Sequence, residues 1–261
     1  MIKNKLCYIQ NLQDIEAICA SRGLRLEIGT DIQYFRDLCS SELEKGAIGP
    51  GFDPDEIHIP ENNVLWMVAY RGESELVHTQ AIRLIDLEGD NLQQHLERDL
   101  ADYRIGGLAL DIPGSRFRLS PQARRISGKV TYHGELWLKG GVNGVRGGCL
   151  ATLFSRYLMI TALLKWQPDN MIGIQQAKIS CRGLAAREGY LRTEQRSFEW
   201  KRRDDGSFIE GWLVWMNREE AEFNLDQPPQ TFVEMLDPKP APLPVSVTPA
   251  ERNIAPVKEA A

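Results

Sequence analysis

Between Val130 and Trp166 a strand-like run, a glycine-rich turn and a helix-like run follow one another with almost no linker. Lys129 to Leu138 (KVTYHGELWL) is rich in β-branched and aromatic residues, which pack well on a pleated surface. Lys139 to Gly148 (KGGVNGVRGG) holds five glycines in ten residues, so the strand is expected to end in a loop of unusual backbone freedom. From Cys149 the period changes: Leu150, Leu153, Phe154, Tyr157, Leu158, Thr161 and Leu164 recur at steps of three and four, as on one face of a helix ending near Trp166 and Pro168. That face is expected to pack against a sheet. At the helix start, Gly147 and Gly148 leave room around the first N–H groups, and the helix dipole favours negative charge there. This is the arrangement of a phosphate site, with Arg146 able to add a charged fork, or equally of a turn that only joins strand to helix.

A second strand–helix unit follows. Asn170 to Ile179 (NMIGIQQAKI) reads as a strand, and Ser180 to Gly189 (SCRGLAAREG) as a helix capped by Ser180 and closed by Gly189, with Tyr190 opening another extended run. Upstream, Leu24 to Ile28 reads as a strand and Asp31 to Glu44 as a helix. Val64 to Tyr70 and Leu76 to Leu87 form a hairpin about Arg71–Glu75. Downstream, Tyr190 to Trp200 and Ser207 to Met216 flank an Asp-Gly turn at Asp205-Gly206. The fold class is α/β, with a mixed, largely antiparallel central sheet flanked by helices. The main domain spans 1–226, with an insertion over the sheet edge at about 88–128 that includes a helix-like piece, Asn91 to Tyr103.

Two of these segments resemble the GNAT superfamily of acyl-CoA-dependent N-acyltransferases. Arg146-Gly147-Gly148-Cys149-Leu150-Ala151 is similar to that family's phosphate-binding turn, Arg/Gln-x-x-Gly-x-Gly/Ala, in its first and last positions, with Cys149 where the middle glycine is usual. Leu184 to Tyr190 is similar to its helix ending in a Gly-aromatic pair. The resemblance implies direct transfer of an acyl group, acetyl or longer, from acyl-CoA to an amine of a small molecule or peptide, through a ternary complex. It implies that Val142, Arg146, Gly147, Gly148, Cys149, Leu150 and Ala151 hold the coenzyme. A tyrosine that many members carry five residues before the aromatic of the pair is replaced here by Ala185, leaving Cys149, Cys181, Tyr190 or water to protonate the leaving thiolate. An acyl-CoA-binding regulatory protein with little turnover, and an autoinducer-synthase-like acyltransferase, are the alternatives.

A base is sought on the central strand, where alternation places His133 and Glu135 on one face beside the phosphate loop. Either takes the amine proton, or both face solvent, or Glu135 pairs with Lys139. At the helix start the Cys149 thiol is either activated by the dipole or a small buried side chain in glycine's place, the commoner case.

The remaining composition narrows the class. The net charge of −5 and the scattered Arg124-Arg125 and Lys201–Arg203 clusters give no nucleic-acid footprint. No apolar run approaches the ~18 residues of a membrane span, and the first residues lack a signal peptide's apolar core, so a cytoplasmic protein is expected. Five cysteines without a CxxC pair and four scattered histidines point to reduced thiols and no metal site. Exposed sheet edges invite pairing into a homodimer. Eight of the fourteen prolines lie in 227–261, a segment expected to be extended or disordered.

Overall fold

The computed structural model describes residues 5–142 and 144–237. The chain opens with α1 (Lys5–Ser21), whose Tyr8, Asn11, Ile15 and Cys19 recur at helical spacing and are buried. It continues through β1 (Leu24–Gly29) and α2 (Ile32–Ser41), which starts where the Asp31 carboxylate accepts the Tyr34 N–H. The hairpin β2 (Val64–Arg71) and β3 (Glu75–Asn91) follows. Then come α3 (Leu92–Asp99), entered through a capping box between Asn91 and Gln94, β4 (Leu110–Phe117) and β5 (Ser127–Leu138). After the glycine-rich loop the order is α4 (Leu150–Trp166), β6 (Asn170–Gln176), α5 (Ala177–Ser180), α6 (Leu184–Glu188), β7 (Arg192–Arg202), β8 (Phe208–Asn217), α7 (Arg218–Leu225) and α8 (Pro229–Leu236).

All eight strands form one sheet in the order β1-β2-β3-β5-β6-β8-β7-β4. Every pairing is antiparallel except β5 with β6, which run parallel over only four residue pairs, from Val130↔Asn170 to His133↔Gly173. This is the mixed, largely antiparallel sheet expected from the sequence. Beyond Gly173 the two strands part. β5 stays with β3 out to Leu138, and β6 stays with β8 out to Gln176. A bulge accompanies the parting. β5 takes three steps from Gly134 to Trp137 while β3 takes two from Ala81 to Thr79, and Glu135 sits at φ 58°.

Four boundaries differ from the sequence reading. The expected strand to Ile179 stops at Gln176, because Ala177–Ser180 turns helical, and Ser180 is the last residue of α5 rather than a cap. Of the expected helix from Ser180 to Gly189 only Leu184–Glu188 forms α6, because the chain turns at Gly183, at φ 80°. Within residues 88–128, expected to lie over the sheet edge as an insertion, β4 joins the sheet as an edge strand against β7. And 229–236, expected to belong to an extended tail, is a helix whose Phe232, Val233 and Leu236 pack on the core; residues 238–261 lie outside the described part.

The larger correction concerns α4. The sequence shows a stripe, but fourteen of its seventeen residues are buried, so the helix is covered on nearly every side. One side meets β2, β3 and β5, and others meet α1, α6, α7 and α8. That burial traps Arg156. Its guanidinium donates to the Asn224 carbonyl (2.6 Å), the Asn224 side-chain oxygen (3.3 Å) and the Gln227 carbonyl (3.0 Å), and lies 4.4 Å from the centre of the Phe232 ring. Burial lowers its pKa to about 10, so it stays charged at neutral pH. The accepting groups lie at the C-terminal end of α7, where a cation is favoured. Tyr8 and Asn11 of α1 donate to Glu222 and Leu225 carbonyls of the same helix.

Replacing Arg156 by Met keeps the volume but leaves the Asn224 side-chain oxygen without its guanidinium donor and takes the charged donor from the Asn224 and Gln227 carbonyls, which keep the Asp226 N–H and the Asn11 side chain, respectively. Urea unfolding is expected to show a loss of about 3 kcal/mol. The exposed Arg98→Met serves as control and is expected to change stability by less than about 1 kcal/mol.

Candidate functional site

Where β5 and β6 part, a cleft of about 370 Å³ opens. One wall is Gly134–Trp137 of β5, the other Gly173–Gln176 of β6 with Leu184 and Glu188 of α6. Asp102–Gly106, the segment around Gly49–Phe52 and Trp200 also line it. Each strand reaches the cleft with one edge already paired, to β3 or to β8, and the other edge turned toward the gap.

Both sequence-predicted base candidates line this cleft, but not on one face. The bulge at Glu135 breaks the alternation that places them together. Glu135 turns toward the α2 side, where Lys45 Nζ lies 2.7 Å from one carboxylate oxygen and the Gly49 N–H donates to the other at 2.8 Å. Its partner is therefore Lys45, not Lys139, which pairs with Glu75. His133 turns toward α4. Its Nε2–H donates to Gln80 Oε1 (3.1 Å), the Gln80 amide donates to the Phe154 carbonyl (2.6 Å), and the Tyr190 hydroxyl lies 3.4 Å from Nδ1. Burial pushes the His133 pKa down to about 4, so the ring is neutral at physiological pH.

The third cleft group was missed in the sequence. Glu188, the last residue of α6, is 4% exposed and accepts a 2.6 Å hydrogen bond from the Gln175 side-chain amide. Burial raises its pKa to about 8, against smaller lowering effects of Gln175 and Arg187. The only sequence signal was position: Glu188 lies three residues after Ala185, one helical turn further along the same face. The cleft also holds buried polar atoms with no protein partner among the described residues, including Gln175 Oε1 and the indole N–H groups of Trp137 and Trp200.

The glycine-rich loop leads to the start of α4. Val142 is fully exposed in the loop, and Arg146 donates from Nε to the Leu138 carbonyl (2.7 Å) with its guanidinium at the surface. Gly147 and Gly148 adopt φ of 103° and 58°, a backbone other residues rarely take. Cys149, Leu150 and Ala151 then begin the helix as buried residues. An anion does sit there, and the chain supplies it. The Asp237 carboxylate accepts the Cys149 N–H at 3.0 Å and forms an ion pair with Arg22. A side chain at Gly148 would meet the same carboxylate, 2.4 Å from its Cβ. Burial pushes the Cys149 thiol up to about 11, so the expectation of a small buried cysteine holds and that of an activated thiolate does not.

No family model and no curated protein matches the chain. Solved structures do. NAA60 from Arabidopsis thaliana, solved with acetyl-CoA, is 9% identical and superposes with a TM-score of 0.44 over 74% of this chain and 98% of that one. An N-acetyltransferase from Staphylococcus aureus Mu50 is 8% identical with a TM-score of 0.41 over 75% of this chain and 98% of that one. FeeM, an N-acyl amino acid synthase from uncultured soil microbes, is 12% identical with a TM-score of 0.41 over 77% and 93%. These are likenesses of fold, and the chemistry of the cleft is read from this chain's own residues.

Opposite pH dependences follow from the buried groups. Glu188 is protonated when folded up to about pH 8 but ionises near 4.5 when unfolded, so its contribution is intact below 4.5 and is lost as pH rises toward 8. His78 and His133, held near 3 and 4 by burial, contribute stability above 6.5 that is lost as pH falls toward those values. Glu188→Gln is expected to stabilise the protein by about 4 kcal/mol at pH 7.5, at roughly 1.4 kcal/mol per pH unit, and by less than about 0.5 kcal/mol at pH 4.5. Urea unfolding at both pH values measures this.

Proposed function

We propose that this protein transfers an acyl group from acyl-CoA to an amine acceptor by direct attack within a ternary complex. The observation that carries the reading is the parting of the parallel strands β5 and β6 next to the loop that starts α4. An extended chain carrying amides, such as the pantetheine arm of the coenzyme, can lie in the gap and bond to the strand edges, as a strand would. Its diphosphate then falls to Gly147, Gly148 and the first N–H groups of α4, with Val142 and Arg146 on the loop and Leu150 and Ala151 in the first turn. The hold that Cys149 N–H and Arg22 already exert on a carboxylate supports this assignment.

In the reaction the acceptor nitrogen bonds to the thioester carbonyl carbon, and its proton passes to a base. Glu135 fits this role better than His133, because its carboxylate lies on the cleft wall with Lys45 and Gly49 N–H fixing its orientation. His133 acts at a distance by holding Tyr190 and Gln80 in place. Acetyl as the transferred group, a small-molecule or peptide amine as acceptor, and a cytoplasmic location belong to the same proposal. None of the described helices is long and apolar enough to cross a membrane. A homodimer paired at the free β1 or β4 edge is proposed with them.

Two titrations test the coenzyme site. Isothermal titration of the full chain with acetyl-CoA is expected to give micromolar binding that disappears in the Arg146→Glu, Gly148→Asp double variant; no binding by the wild type refutes the acyltransferase reading. Asp237→Ala removes the resident carboxylate and is expected to tighten acetyl-CoA binding roughly tenfold, the worth of about one charged hydrogen bond. Unchanged or weaker binding would place the diphosphate elsewhere. Tight binding without turnover on any amine would instead favour a regulatory acyl-CoA-binding protein.

A further inference from the structure

We infer that the Glu188 carboxyl group is a catalytic residue that donates the proton to the departing thiolate, a step that rests on the acyltransferase reading of the cleft. The need arises within this chain, since Ala185 carries no proton, the Cys149 thiol is bound up with Asp237 at the helix start, and Cys181 is exposed outside the cleft wall. Tyr190 is buried, with its hydroxyl turned toward His133.

Glu188 meets the geometric requirement. It lies on the β6 side of the cleft, opposite Glu135 on β5. The turn that follows is fixed: Gly189, at φ 97°, closes α6 through its N–H to the Ala185 and Ala186 carbonyls, and Asn224 donates to the Gly189 carbonyl. The side chain is thus anchored at both ends, by that turn and by the Gln175 amide on one carboxyl oxygen. The second oxygen is left to carry the proton.

The surroundings keep that proton in place. α4 meets α6 through Met159, Ile160 and Leu163 around Ala185, an apolar contact. β6 presents the neutral Gln175 amide, and β5 reaches toward it through Tyr132 and neutral His133 behind Tyr190. Arg187, the preceding residue, is the cation acting on Glu188, and its guanidinium is drawn back to the Arg182 carbonyl. A carboxyl in such a setting is neutral at pH 7 and can act as an acid.

The balance of the step is simple. The acceptor nitrogen forms the C–N bond to the thioester carbon and gives its proton to Glu135. As the tetrahedral adduct collapses, the C–S bond breaks, its electron pair goes to sulfur, and sulfur takes the Glu188 proton. Glu188 is then reprotonated from solvent while Glu135 releases its proton. Nothing is oxidised or reduced.

The test uses the full-length protein with spermine and a lysyl peptide as amine probes. Thiol release from acetyl-CoA is compared with acetyl transfer from p-nitrophenyl acetate, whose phenolate leaves without a proton. For Glu188→Gln the expectation is unchanged acetyl-CoA affinity by titration, a 10²–10⁴-fold lower kcat with acetyl-CoA, and a rate with the aryl ester within about threefold of wild type. The fall of wild-type kcat above pH 8 should vanish in this variant, and Glu188→Asp should recover part of the rate. Equal losses with both donors, or retained turnover of acetyl-CoA, would overturn the assignment while leaving the acyltransferase reading intact. Wild-type protein that fails to bind acetyl-CoA, or binds it without turning over either amine, would overturn both.

Discussion

The four-residue length of the β5–β6 pairing is the constraint on which the rest of the site depends. A parallel pair that ran on to Trp137 and Gln176 would close the sheet and leave no cleft. Two features stop it. On one side the extra residue in β5 near Glu135 increases the local twist and turns the strand away. On the other, β6 ends at Gln176 and runs directly into α5, so the chain leaves the sheet plane. The same bulge decides which side chains the cleft receives. By reversing the alternation it sends the Glu135 carboxylate to Lys45 on one face and leaves His133 with Gln80 on the other.

Periodicity made most of the sheet legible. Runs with β-branched and aromatic residues between turn signals fell on β1, β2, β3, β5, β7 and β8, because such runs bury one or both faces wherever they sit in a sheet. The edge strand β4 escaped notice for a physical reason: LDIPGSRF contains Pro and Gly, and it pairs on one side only. The burial of α4 on nearly all sides also escaped, since a helix packed between a sheet and other helices has no polar face to mark an orientation. At the site, the glycine-rich loop and the two base candidates were visible as local patterns. Their relative orientation was not, because one bulge inverts it, and Glu188 was marked only by its place one turn after Ala185, since a single acidic residue at a helix end looks like a solvated one until its burial is known.

The two cleft carboxylates illustrate how environment assigns roles. Glu135 has the Lys45 ammonium and the Gly49 N–H within hydrogen-bonding distance, one on each carboxylate oxygen, which fixes its orientation as an acceptor. Glu188 has an amide and apolar neighbours, which favour the neutral acid. Groups of one chemical type on opposite walls are thereby suited to opposite directions of proton transfer, one receiving and one giving. The difference arises from elements far apart in sequence, the Lys45–Gly49 segment and the α6 turn, which meet only because the sheet opens between them.

The start of α4 carries a further consequence. Its Cys149 N–H and Arg22 are both committed to Asp237, and Asp237 is held there by the packing of Phe232, Val233 and Leu236 just before it. Any ligand whose oxygens take the same N–H must displace that carboxylate, so its apparent affinity is lowered by the fraction of molecules in which Asp237 is seated. Because the competitor is tethered, its effective concentration does not depend on how much protein is present. The cost also rises with whatever stabilises α8, including the Arg156 guanidinium against Phe232. Packing at the C-terminal helix and the seating of Asp237 at the helix start are therefore linked, so a change that loosens α8 both lowers stability and frees the Cys149 N–H.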